Sequence, residues 1–221
     1  IRVPVNKENV LKYGIVPASD ADSILDYIEL TIPDNNISKS DLIILDLLSN
    51  YNWDRPIYFV LENGDCSFNI GQYLRNDGLT HKLVPMICNS EAIRKQDSSL
   101  MYNLLMTVYK FDAIADTTHF VDYQNLYTFT AVTPVREDFV QTASILVTER
   151  KLKEAEDILD RCFEVTPRKN YPYNVSEFYS INEYSILTAI ELYYALNRRE
   201  KAQEIAMQFL DETIVCLAYY G

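Results

Sequence analysis

Asp20 and Asp22 form an Asp-x-Asp, a spacing that can hold a divalent cation against the phosphates of a nucleotide sugar. Ser19 and Asp22 also stand at capping-box spacing ahead of Ile24, Leu25 and Ile28. The carboxylates therefore read as the first turn of a helix over residues 19–27, where they meet the positive end of its dipole. His81 and His119 belong to no metal-ligand spacing, and His81 falls in an alternating pattern beside Lys82, so both read as surface or packing residues. The four cysteines, Cys66, Cys88, Cys162 and Cys216, show no CxxC. Cys162 and Cys216 fall in helical patterns as small apolar residues, and in an oxidising compartment Cys66 and Cys88 could pair. No GxSxG, Walker loop, dinucleotide fingerprint or HExxH occurs. Carboxylates are plentiful, but nothing in the sequence selects a pair at glycosidase separation. The expectation is a segment with no catalytic residue, no metal site and no cofactor.

Two other groups of residues have the chemistry of recognition. Trp53, Arg55 and Tyr58 lie between a predicted apolar helix and a predicted strand. Tryptophan beside arginine can anchor a protein partner or stack on a sugar. The competing reading is that Trp53 plugs the local core while Arg55 pairs with a carboxylate such as Asp54.

The second group comes from residues 136–167, which follow a tetratricopeptide pattern: Phe139, small Ala143, Leu146, small Ala155, Leu159, small Cys162 and closing Pro167. Small residues mark the close crossing of two antiparallel helices and bulky ones fill the space beside it. Thr142 stands where the pattern usually has leucine. A second, weaker hairpin is readable from Ile186, Ala189, Leu192 and Tyr193, followed by Ala202, Ile205, Ala206 and Phe209. Matching Ala189 to Ala143 leaves this copy one residue longer, with the extra residue expected near 197–200. Such arrays hold extended peptides on the face lined by first helices. In that register the face comprises Glu137, Val140, Ser144 and Thr148, then Glu183, Ile186, Ile190 and Tyr194. Mixed apolar side chains and two carboxylates would suit a basic or neutral segment. Alternatively, Ile186 and Ile190 are buried and the repeats are scaffold.

These elements sit in an acidic, core-forming chain. Of 221 residues 48% are hydrophobic, with only 5 Gly and 8 Pro, which predicts folding throughout. A net charge of −12 argues against nucleic acid as a partner, because that affinity comes from clustered Lys and Arg. No apolar run approaches the roughly 20 residues needed to span a bilayer, so no direct membrane insertion is expected. The start at Ile1, without methionine or a signal peptide, reads as a processed or excised piece of something longer.

The first hundred residues predict a small mixed unit. Lys7–Tyr13 reads as a helix closed by Gly14, residues 29–32 as a strand, and residues 33–36 as a turn. Ser38 and Asp41 give a capping-box spacing before a helix apolar nearly all round and therefore expected to be buried. A buried strand over 57–61, a turn over 62–65, a helix over 68–74 and a strand over 79–87 follow. From Ser98 the strand signals stop, and helices are expected over 98–108 and 120–132 before the hairpins. Pro134 fits a first helical turn or a kink. The fold class is α+β: a mixed unit over 1–97 and a helical tetratricopeptide-like region over 98–221. Because two hairpins cannot bury both their faces, the two are expected to form one continuous body.

VNKENVLKYGIV, DLIILDLLSNYNWDRPIYF, YLRNDGLTHKLVP and SLMYNLLM, followed by the hairpins, make the chain resemble the C-terminal soluble region of large bacterial multi-spanning membrane proteins. The membrane part of those proteins is similar to protein O-mannosyltransferases. The resemblance implies a polyprenyl-sugar-dependent parent whose catalytic acids lie outside this segment, and a periplasmic position for these residues. The expected role is an accessory domain that binds a protein or peptide partner, or the membrane part of its own chain. The alternatives are a carbohydrate-binding or hydrolytic domain and a free-standing helical-repeat adaptor.

Overall fold

The computed structural model describes residues 1–32, 37–60, 68–88, 97–119, 132–174 and 180–220. The turns expected over 33–36 and 62–65, and nearly all of the helix expected over 120–132, lie outside them. The chain divides into two compact units, Ile1–Asp97 and Ser98–Gly221. Its class is α+β, with antiparallel strands in the first unit and helices in the second.

In the first unit, β1 (Arg2–Pro4) pairs with β2 (Tyr27–Glu29), placing Val3 opposite Ile28 with both buried. Between them α1 (Lys7–Lys12) is capped by the Asn6 side chain, and Gly14 at φ 64° ends it. There Ile15 N–H donates back to Val10 O at 2.9 Å, the bond that closes a helix through a left-handed residue. The helix expected over 19–27 is instead a six-residue 3-10 turn, Ala18–Ser23. Ser19 Oγ donates to Asp20 at 3.4 Å and caps nothing. Ile24 is already extended and Ile28 is spent on pairing with β1, so tertiary burial has overridden the local helical pattern. The strand consequently starts two residues earlier than expected.

Helix α2 (Lys39–Ser49) begins with the expected capping box: Ser38 Oγ accepts from Asp41 N–H at 3.1 Å, and Asp41 accepts from Ser38 N–H at 2.7 Å. It is not buried all round. Asp41, Ile44, Leu45 and Leu48 line its inner side, at the i, i+3, i+4, i+7 spacing of one helical face, while Leu42, Ile43 and Leu47 are exposed. One packed side is all that a unit of this size supplies.

A second sheet has the order β3 (Tyr58–Phe59), β5 (His81–Leu83), β4 (Leu74–Asn76), all antiparallel. The strand expected to be buried over 57–61 is an edge strand, which leaves Tyr58 and Val60 in solvent. The helix expected over 68–74 is a 3-10 turn, Ile70–Tyr73, that runs directly into β4. Gly78, at φ 91°, turns β4 into β5.

The second unit opens with α3 (Ser98–Asn103), which loosens into a π-helical turn over Leu104–Val108, and the short α4 (Asp112–Ala115). Two antiparallel hairpins follow: α5 (Val132–Thr148) with α6 (Leu152–Val165), and α7 (Ser180–Ala195) with α8 (Arg199–Tyr220). Pro134 falls in the first turn of α5, where its missing N–H costs nothing. Helix α3 packs on α5, α4 and the π turn pack on α6, and α7 packs on both α5 and α8. Phe139, Ala143, Leu146, Ala155, Leu159 and Cys162 are all essentially inaccessible. Thr142, in the usual leucine position, is buried too, and its hydroxyl is satisfied by donating to Asp138 O at 2.7 Å.

Candidate functional site

Both hairpin turns are built the same way. Arg150 (φ 62°) and Asn197 (φ 63°) take the left-handed conformation. In the first turn Arg150 N–H donates to Val147 O at 3.0 Å and Lys151 N–H to Leu146 O at 2.9 Å. In the second, Asn197 N–H donates to Tyr194 O at 3.0 Å and Arg198 N–H to Tyr193 O at 2.8 Å. This is the same paired closure, residue for residue. It equates Leu146 with Tyr193 and Ala155 with Ala202, a constant shift of 47 positions (202 minus 155). Phe139 with Ile186, Thr142 with Ala189 and Ile158 with Ile205 obey it as well, and every one of these residues is buried. The second turn therefore holds no extra residue near 197–200; the structural equivalent of Ala189 is Thr142, not Ala143.

That one-residue shift moves the expected partner face. Val140, Ile186 and Ile190 are core residues, with Ile186 only 1% exposed. Their side chains cannot meet a partner in this packing, because the heptad-like spacing that puts them on one helix face turns that face towards neighbouring helices. The Glu183 side chain lies outside the described residues. Glu137 and Ser144 are half-buried, and Thr148 and Tyr194 are exposed. Glu137 accepts from Gln141 Nε2 at 2.7 Å, and Thr148 Oγ1 donates to Ile145 O at 2.7 Å. Carried through the 47-residue shift, Glu137, Val140 and Ser144 correspond to Tyr184, Leu187 and Glu191. With Tyr194 these make an exposed stripe at i, i+3, i+7, i+10 on α7, Tyr184 being 68% and Leu187 48% exposed. The spacing was available in the sequence, but the small-residue match at Ala189 concealed it.

Charged contacts pin the second hairpin to the first. Arg198 grips Glu156 with two hydrogen bonds, at 2.7 and 2.8 Å, and holds its carboxyl below the usual range. Lys201 donates to both oxygens of Asp160, which also accepts from the Tyr193 hydroxyl at 2.8 Å. Burial, and then that hydrogen bond, push the Tyr193 phenol well above its ordinary value. Phe163 packs against the rings of Tyr173 and Tyr193 at 5.7 and 6.1 Å. Buried Arg136 reaches from α5 to Thr166 Oγ1 and Thr166 O, each at 3.1 Å, and to the carbonyls of Tyr171 and Pro172. It thereby sets the path from α6 towards α7. Burial pushes the Cys162 thiol up to about 12, which fits a packing cysteine with no thiolate chemistry.

In the first unit the Trp53, Arg55 and Tyr58 group separates. Trp53 is fully buried, its Nε1–H donates to Pro4 O at 2.9 Å and its ring lies 4.7 Å from that of Tyr51. It locks β1 to the loop after α2, so the core reading holds and a contact role for Trp53 does not. Arg55 and Tyr58 stay exposed, with Lys82 Nζ 5.7 Å from the Tyr58 ring. Behind Tyr58 stands a buried ionic group that the sequence reading missed. Asp77 bridges Arg75 Nε at 3.0 Å and Lys82 Nζ across the β4–β5 turn, and all three side chains are nearly inaccessible. The cross-strand register that opposes Arg75 and Lys82 assembles it. Its one clue was the spacing of these charges about Gly78.

His119 Nδ1 lies 2.8 Å from Asp116 Oδ2 at the surface, and half-buried His81 stands in β5 opposite Phe59 of β3 and Asn76 of β4. Cys66 lies outside the described residues; Cys88 is buried. Among the described residues no three of His, Cys, Asp and Glu gather into a metal-holding group, and no helix is long and apolar enough to cross a membrane.

No curated protein and no solved structure matches the chain. Residues 1–101, which comprise the whole first unit, are similar to the family described as TMEM260-associated domain 2.

Proposed function

We propose that the chain is a non-catalytic accessory domain of a TMEM260-like, glycosyltransferase-like membrane protein, displayed on the extracytoplasmic (periplasmic) side, and that its tetratricopeptide-like hairpins bind a protein or peptide segment. The family match over residues 1–101 supports the accessory role. The observation that carries the binding role is the exposed α7 stripe, Tyr184, Leu187, Glu191 and Tyr194, continued on α5 by Thr148 and the partly open Glu137 and Ser144. Two tyrosines and a leucine supply apolar anchors, and Glu137 and Glu191 favour a basic or neutral ligand over an acidic one.

The test uses immobilised chain and matched peptide sets that differ only in carrying Lys/Arg or Asp/Glu around an apolar centre. Basic peptides should be retained and acidic ones not, and the double variant Glu137→Lys, Glu191→Lys should weaken retention at least about tenfold, which is about 1.4 kcal/mol. The melting temperature should not change, since both side chains reach solvent. Retention of oligosaccharides in place of peptides would overturn the reading in favour of a carbohydrate-binding domain.

A further inference from the structure

Among the described residues Arg75 and Arg136 are buried, and their guanidinium groups are satisfied to different degrees. Arg136 places Nε, Nη1 and Nη2 each on an oxygen acceptor. Arg75 is only 3% exposed, yet the one acceptor it meets among the described residues is Asp77 Oδ1, which takes Nε–H at 3.0 Å. Both Nη groups are left with N–H donors withdrawn from water and no protein acceptor, a costly state that a bound oxygen acceptor relieves. Lys82 is equally buried and rests on the other oxygen of the same carboxylate. Among the described residues the group therefore sets two cations against one carboxylate and keeps a surplus positive charge.

The sheet register gives this surplus a direction. Lys82 stands opposite Arg75 on one side and Tyr58 on the other, so the three side chains share one face of the sheet. Leu74 and Leu83, opposed one residue away, take the other face and enter the core. Asp77 N–H donates to Thr80 O at 2.9 Å, which fixes the carboxylate on the turn from which it holds both cations. At the outer end of the row Tyr58 is exposed, its ring 5.7 Å from Lys82 Nζ, so the row reaches solvent there. A singly charged oxyanion balances the surplus. A planar carboxylate also fits the donors, because the Nη edge of a guanidinium presents parallel N–H groups matched to two carboxylate oxygens. The near inaccessibility of Arg75 and Lys82 restricts the ligand to a compact one.

We propose that Arg75 and Lys82, held in place by Asp77, form a binding site for the carboxylate of a small free organic acid, separate from the hairpin face. The Arg75 Nε–H, anchored on Asp77, is the reporter. In the nitrogen-15-labelled 221-residue chain at constant ionic strength, its NMR signal, assigned by its loss in Arg75→Lys, should move saturably with sodium acetate over about 0.1–50 mM. Chloride should not move it. Lys82→Gln leaves the Arg75–Asp77 pair neutral, so it should keep the signal but weaken acetate binding at least about tenfold. A purely structural lysine would leave the acetate response unchanged. If either variant fails to fold, titration of the unaltered chain still decides, with the signal assigned through its backbone neighbours. A signal that acetate does not move would mean that the surplus charge is met within the chain, and would overturn the proposal. So would an equal response to chloride, or tighter binding of inorganic phosphate or of an acidic peptide than of acetate.

Discussion

The two units solve the problem of burial differently. Among its described residues, Ile1–Asp97 has strands of two or three residues, two 3-10 turns and the helices α1 and α2, so few backbone ladder bonds hold its sheets. Its elements are tied by individual side chains: Trp53 to Pro4 O, the Tyr73 hydroxyl to the backbone N–H and C=O of Glu29, and Asp77 to Arg75 and Lys82. Ser98–Gly221 has long helices and one packing rule applied twice. Stability in the first unit is concentrated in a few ties, and in the second it is spread along a periodic core. A substitution at Trp53 should therefore act through a specific hydrogen bond as well as through volume, whereas one in the apolar crossing of α5 and α6 should act through volume.

The largest expected effect is at Trp53. Truncation to alanine removes the biggest fully buried side chain and strands the Pro4 carbonyl, for a cost of about 3–5 kcal/mol. Trp53→Phe sharpens the comparison: it restores most of the volume but not the indole N–H, and should recover only part of that loss in chemical denaturation followed by circular dichroism. Full recovery would mean that the first unit depends on volume as the second does.

Next is Leu159, at the crossing of α5 and α6. Leu159→Ala should cost about 2–5 kcal/mol, and Leu159→Met, which nearly conserves volume, less than about 1.5 kcal/mol. A denaturation midpoint that barely moves for Leu159→Ala would mean that the hairpin core is not packed as described.

The same contrast explains what could be read before the structure. Periodicity over long helices is a strong signal, and Ala143, Leu146, Ala155, Leu159 and Cys162, expected between two helices, are buried there. The Ser38–Asp41 capping box was legible because both its partners lie within one turn. Strands such as Tyr58–Phe59 are shorter than any pattern that could mark them, and Trp53 takes φ 56°, which its residue type does not announce. Which residues of the first helices reach solvent was not legible in register. Small residues at 143 and 189 suggested a match, whereas the turns fix the register, and Arg150 carries a left-handed conformation that glycine or asparagine would have signalled. The Arg75–Asp77–Lys82 group depends on cross-strand register and so had no local signature beyond charge.

The account rests on that register, which assigns Ile186 to the core and Leu187 to the exposed stripe. The most direct measurement compares the denaturation midpoints of Ile186→Ala and Leu187→Ala. The structure predicts a loss of about 2–5 kcal/mol for Ile186→Ala, whose side chain is 1% exposed. For Leu187→Ala it predicts a change within about 0.5 kcal/mol, as for an ordinary surface site. Equal losses, or the larger loss at Leu187, would contradict the register and remove the α7 stripe that derives from it.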